Sequence, residues 1–289
     1  MSLIGTMGSG VSALRTFMKG LEVIGNNIAN VNTTGYKSSQ AKYADSFSNI
    51  LQRSAPSGTA SANTPSIGVG TGVTLAGVTT NYSQGSLAST GRDTDLGISG
   101  PGFFHVKNAV DGTVFATRAG DFRWTDQGYL VTPQGLRVQG ATGSGLSAVG
   151  DIVLSTPPTG TQLQSVTIDR SGNVVEFYSD GTSATTNRIL LQQFKDPSGL
   201  VKEGNNLYSG LIAAGPIGAA TGSADLQVGV NNPGNNGLGN IQAGTLELSN
   251  VDLTDQFASL ITTQRSFQAG SRLITVSDTV LEDIVNLKR

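Results

Sequence analysis

An α+β chain, with a long helix at each end and a mainly antiparallel β-rich body between them, is predicted by three observations. Apolar residues at helical spacing occupy both termini, the 39 glycines crowd the middle with Ser, Thr and Asn, and turn tetrads divide that middle at short intervals. The chain divides accordingly into an N-terminal helix (residues 1–31), an extended connector (32–72), a β-rich outer body (73–243) and a C-terminal helix (244–289), the two helices pairing as a coiled-coil-like inner domain.

In the first helix Met7, Val11, Leu14, Met18, Leu21, Gly25 and Ile28 alternate steps of four and three, as a heptad seam does. Phe17, Ile24 and Val31 add a second row, so the apolar face is wide on a helix of about 40 Å at about 1.5 Å per residue. Asn26, Asn27 and Asn30 interrupt that face with amides that need hydrogen-bond partners if buried, and Asn and Gly after a periodic run are stop signals. The stretch "GNNIANVNTTGYK" thus reads as a helix ending in a hydrogen-bonded turn.

The connector contains "RSAPSGTASANTPSIGVGTG" (residues 53–72), which has no periodicity and is rich in Gly, Ser, Thr and Pro. The body follows, punctuated by "VDGT" (110–113), "TDQG" (125–128), "TPQG" (132–135), "RSGN" (170–173), "SDGT" (179–182) and "DPSG" (196–199) between short strand-like runs such as "TVFATRAG". In the last helix Leu253, Leu260, Phe267, Ile274 and Leu281 form an apolar row at intervals of seven. Phe257, Gln264, Ser271, Asp278 and Val285 lie beside it, while Leu273, Val276, Val280, Ile284 and Leu287 put a further stripe on another face. Such a helix needs more than one neighbour, though periodicity alone leaves open whether the two helices pair within one chain or with other chains.

Composition excludes several functions. Charged residues make up 13% of the chain, with net charge −2 and scattered Lys and Arg, so there is no basic footprint for nucleic acid. No run reaches the ~18 apolar residues of a membrane-spanning helix. The first basic residue is Arg15, so a cleaved secretory leader is not expected and any export takes another route. With no cysteine and one histidine, His105, neither a Cys/His metal site nor disulfides are available, and a catalytic triad would have to use that single residue. "DRSGN" lacks the downstream acids of a calcium loop, and "GVGTG" and "GNNGLG" lack the Lys-Ser/Thr of a phosphate loop. The residues give an enzyme no footing, and a monomeric β-domain binding module stays open as one class of function.

The segments "SALRTFMKGLEVIGNNIANVNTTGYK", "STGRDTDLGISGPGFFHV", "TRAGDFRWTDQGYLVTPQGLRVQG" and "LELSNVDLTDQFASLITTQRSFQAGSRLITVSDTVLEDIVNLKR", in that order and with "NLYSG", resemble the bacterial flagellar rod and hook proteins over most of the chain. The nearer member is the hook protein, in a short form with little room for an inserted domain between Val138 and Val166; the distal rod protein is the alternative. The resemblance implies a helical homopolymer whose terminal helices line an export channel, with the β-rich body outside. It further implies export through the type III apparatus without membrane insertion and growth under a cap protein. Rod, hook cap and hook–filament junction proteins would be its partners, with no nucleic acid, cofactor or catalytic activity. Met7, Val11, Leu14, Met18, Leu21, Ile28, Leu253, Phe257, Leu260, Phe267, Ile274, Leu281 and Val285 are then the expected subunit-assembly residues, and Asn26, Asn27 and Asn30 the helix-end turn.

Overall fold

The computed structural model describes residues 2–54, 63, 65–143, 145–157, 160–219 and 223–287, giving the backbone alone for residues 2–4. Two compact units share the chain: one comprises Met1–Ala29, Ser38–Asn81 and Val251–Arg289, the other Asn30–Lys37 and Tyr82–Asn250. These bounds differ from the sequence division. Residues 30–37 and 244–250 belong to the β body, and most of the expected connector is paired strand in the helical unit.

In the helical unit, α1 (Ser2–Ala29) and α2 (Leu253–Leu287) run antiparallel: Gly10 lies against Ile274, Gly270 against Leu14, Gly20 near Thr263, and Asn27 bonds Gln256. The buried and half-buried positions of α2 recur in steps of four and three through Gln256, Leu260, Thr263, Phe267, Gly270, Ile274, Ser277 and Leu281. Large apolar residues therefore alternate with small or polar ones along the seam. A Cβ at Gly10 would stand 3.1 Å from Ile274 Cγ1, so its absence lets the helices close. Asp252 caps α2 by accepting from the N–H of Thr254 at 2.8 Å.

Between the helices in sequence, β1 (Ser39–Asp45) pairs antiparallel with β4 (Val73–Thr80), and β2 (Ser48–Gln52) with β3 (Ile67–Gly70). Thr16 of α1 donates to the Val73 carbonyl at 3.2 Å, and Phe17 meets Tyr43 edge-on. The 32–72 segment is therefore not one extended connector. Ladder pairing satisfies backbone groups that an isolated extended chain would leave to water. Residues 55–62 and 64 of the Gly/Ser/Pro stretch lie outside the described residues.

The body opens with β5 (Leu87–Ser89), β6 (Leu96–Ser99), β7 (Phe103–Lys107) and β8 (Val114–Thr117), followed by β9 (Arg123–Trp124), β10 (Leu130–Val131), β11 (Arg137–Thr142) and β12 (Ala148–Asp151). It continues through β13 (Leu163–Ile168), β14 (Asn173–Tyr178), β15 (Ser183–Ile189) and β16 (Leu191–Gln192), and closes with β17 (Val201–Gly204), β18 (Leu207–Ser209), β19 (Asn240–Ala243) and β20 (Thr245–Glu247). The main sheet runs β13-β14-β15-β11-β7-β8-β18-β17, antiparallel throughout, with β9, β10, β12 and β16 attached. β19 pairs with β6 and β20 with β5, which brings the C-terminal end of the body back beside its start. These strands, together with Phe122 just before β9, bury Leu96, Ile98, Phe104, Val106, Val138, Ile189, Leu191 and Ile241 in one core. The tetrads act as expected: Gly112, Gly128, Gly135, Gly172 and Gly181 all take positive φ, whereas "DPSG" winds into a 3-10 turn capped by Asp196.

Candidate assembly surface and a buried ion cluster

Pairing of α1 with α2 does not cover their apolar residues. Val11 and Met18 on α1, and Leu253, Phe257 and Val285 on α2, are at least 39% exposed, although all five were expected on an assembly face. Met7, Leu14, Leu21, Ile28, Leu260, Phe267, Ile274 and Leu281 are half-buried, several of them in the seam within the chain. Ile261, Leu273, Val276, Val280 and Ile284 add to the exposed set, so α2 keeps a second apolar face turned to solvent.

The asparagines divide in role. Helix α1 continues through Asn26 and Asn27 to Ala29, so these two are not part of a terminal turn. Asn27, 1% exposed, clamps β1: its Nδ2 donates to the Ser39 carbonyl at 2.7 Å and its Oδ1 accepts from the Ser39 N–H at 2.9 Å. The buried amide thus takes over what a neighbouring strand would do, which overrides its weak helix propensity. Only Asn30 begins the turn, accepting from the Thr33 N–H at 3.1 Å.

That turn belongs to the β body and carries a feature that no local pattern signals. Lys37 is 1% exposed, and its Nζ donates to Glu247 Oε1 at 2.6 Å and to the Ser83 carbonyl at 2.7 Å. Arg118 Nη1 donates to the other oxygen of Glu247 at 3.1 Å, and the Gly85 N–H donates to Oε1 at 2.9 Å. Two cations therefore share one carboxylate away from water. Burial pulls the affinity of Lys37 for its proton below the ordinary lysine value, and Glu247 opposes that shift. Gly35 makes the approach possible: it sits at φ +68°, donates to the Glu247 carbonyl at 2.7 Å, and a Cβ there would stand 2.7 Å from the Ala119 nitrogen. Lys37 and Glu247 lie 210 residues apart, so no local pattern links them.

Elsewhere in the body His105 is 4% exposed, its ring shut away from water beside the backbone of Ala224. Burial holds its pKa down to about 4, so the ring is neutral. Among the described residues, no group of three or more His, Asp or Glu side chains is placed to hold a metal, and no helix is long and apolar enough to cross a membrane.

Three segments match known families: residues 7–37 the "Flagella basal body rod protein" family, 97–176 the "Flagellar hook protein FlgE/F/G D1 domain", and 242–287 the "Flagellar basal body rod FlgEFG protein C-terminal". The flagellar basal-body rod protein FlgG of Bacillus subtilis is 37% identical over 287 residues, covering 99% of this chain and 100% of that protein. FlgG of Borreliella burgdorferi is 30% identical over 292 positions, covering 100% and 99%. The hook protein FlgE of the same organism is 24% identical, covering 97% and 98%, but over 448 positions, so this chain must be opened by long gaps. These matches favour rod over hook and correct the expected order. The terminal motifs are common to both kinds of protein, while the length of the body separates them. The chain belongs to the family of flagellar rod and hook proteins, the structural axial subunits of the bacterial flagellum.

Proposed function

We propose that this chain is the distal rod subunit of the flagellar basal body, a structural protein that polymerises into the shaft carrying motor torque outward. The end-to-end match to rod proteins carries this reading, since a hook protein aligns only by opening the chain over 448 positions. Its terminal helices form the inner layer around the export channel, and the solvent-facing apolar residues of α1 and α2, Val11, Met18, Phe257, Ile261 and Val276 among them, meet neighbouring copies. Burial between copies accounts for so much exposed apolar surface on a chain with few charges.

In this role the protein needs no cofactor and performs no catalysis. Its partners are further copies of itself, the adjoining rod and hook components and the cap under which it is added, and it reaches them through the type III export apparatus. Immunogold labelling of isolated hook–basal bodies, with antibody against the β body, tests the proposal. Label confined to the rod is expected; label along the hook would restore the hook reading. Electron microscopy of the concentrated protein should show tubes, and a chain that stays monomeric would favour a binding module instead.

A further inference from the structure

Arg118 immediately follows β8 and is 4% exposed. Its Nη1 bonds Glu247, its Nη2 donates to the Gly100 carbonyl at 2.9 Å, and its guanidinium lies 5.2 Å from the centre of the Phe103 ring, yet Nε has no hydrogen-bond partner. The cluster it belongs to is also unbalanced: Lys37 and Arg118 carry two positive charges against the single carboxylate of Glu247. A buried excess of positive charge is costly, and a negative charge added beside it relieves the imbalance. Arg118 lines a cavity of about 320 Å³ with Tyr82, Phe103, Phe194, Pro197 and Gln193. Its rings pack edge-on, Tyr82 to Phe103 at 6.0 Å and Phe103 to Phe194 at 5.6 Å. The site suits an apolar side chain next to a carboxylate.

The same body presents such a group. Val110, at the tip of the β7–β8 hairpin, is 90% exposed, more than any other large apolar side chain among the described residues, and Asp111 beside it is exposed too. The tip is held in shape: Asn108 Oδ1 accepts from the Val110 N–H at 3.0 Å, Asn108 Nδ2 donates to Asp111 at 3.2 Å, and Gly112 turns the chain at φ +67°. A preformed tip spends little entropy on docking. It cannot reach the cavity of its own chain, because Phe103 begins β7 and the tip follows its other end, about 14 Å away at about 3.4 Å per residue.

We propose that the Val110–Asp111 tip of one copy seats in the Tyr82–Phe103–Phe194 cavity of another, with the Asp111 carboxylate facing the Arg118 guanidinium. Two different patches meet in this contact, so it is head-to-tail and propagates into an open helical array rather than closing as a dimer. This inference rests on the axial-subunit reading and adds a contact between β bodies to the one between helices.

The chain has no cysteine, so an introduced pair reports alone. Val110→Cys combined with Gln193→Cys, polymerised under reduction and then oxidised, should give a ladder of disulfide-linked oligomers, while either single variant gives none. Polymers that form without a 110–193 link overturn the proposal. So does an equal ladder from Gln193→Cys paired with Ser54→Cys, which would place the connector in the cavity. If the double variant fails to assemble, the critical concentrations of Asp111→Asn and Asp111→Lys decide. Increases of about tenfold and more are expected for loss of the charge pairing, and unchanged values overturn the contact. If wild-type protein forms no polymer at all, the axial-subunit reading falls first and this inference with it.

Discussion

Replacing Glu247 with glutamine tests the buried cluster most directly, because the shape is kept and only the charge is lost. Glu247 accepts from Lys37 at 2.6 Å, Arg118 at 3.1 Å and the Gly85 N–H at 2.9 Å, with its side chain fully buried. Glu247→Gln leaves two like charges without an anion, so the loss should be that of a broken buried pair, about 4 kcal/mol. Lys37→Met is milder. It leaves Glu247 paired with Arg118 as a neutral couple and forfeits mainly the bond to the Ser83 carbonyl, about 2 kcal/mol. Against a total stability of about 5–15 kcal/mol, both losses are measurable. Urea unfolding at pH 7, followed by the fluorescence of Trp124, the single tryptophan, gives both values, since that ring packs on the body's core. Trypsin adds a local readout: Lys37 should resist cleavage in the wild type and become a cut site in Glu247→Gln. The reasoning fails if Lys37→Met costs as much as Glu247→Gln, or if Glu247→Gln costs less than about 1 kcal/mol, the value of an exposed pair.

Gly35→Ala should cost more than about 2 kcal/mol, since a left-handed φ of +68° is combined with backbone contacts that cannot swing aside. Gly25→Ala, in α1 with open space around it, should instead stabilise by about 0.5–1 kcal/mol, and equal signs for the two would refute the distinction. His105 carries a pKa of about 4 in the fold, against about 6.5 when unfolded, so its contribution is complete above the unfolded value and is lost as pH falls from about 6.5 to about 4. His105→Leu should remove about 3 kcal/mol of acid sensitivity from the urea midpoints, and an unchanged pH slope would count against it. Phe257→Ala and Val276→Ala should leave the melting temperature of the monomer nearly unchanged while raising the critical concentration for tubes; Phe267→Ala, in the seam, should lower both stability and assembly. Removing residues 281–289 should block assembly, because it takes Leu281 from the seam and Ile284 and Val285 from the exposed apolar set. A shortened chain that still forms tubes would sink that mechanism.

Local patterns determined the two helices, the apolar row on α2 and five hairpin turns, because helical periodicity and a glycine at positive φ act over a few residues. The two C-terminal rows, both expected on the assembly face, differ in burial: Leu260, Phe267, Ile274 and Leu281 are half-buried, whereas Leu253 and the row from Phe257 to Val285 are exposed. Pairing between distant segments was hidden. Strand β1 looks like connector until β4 is beside it, and the close approach of α1 to α2 uses Gly10, Gly20 and Gly270, which a hydrophobic pattern leaves blank. The turn after α1 shows the limit most clearly. Its residues announced a helix end, but a body bounded at 73–243 omits both Lys37 and Glu247 and leaves Arg118 without its carboxylate. Only the fold brings together charges 210 residues apart, and only burial makes their pairing strong enough to fix where the turn docks.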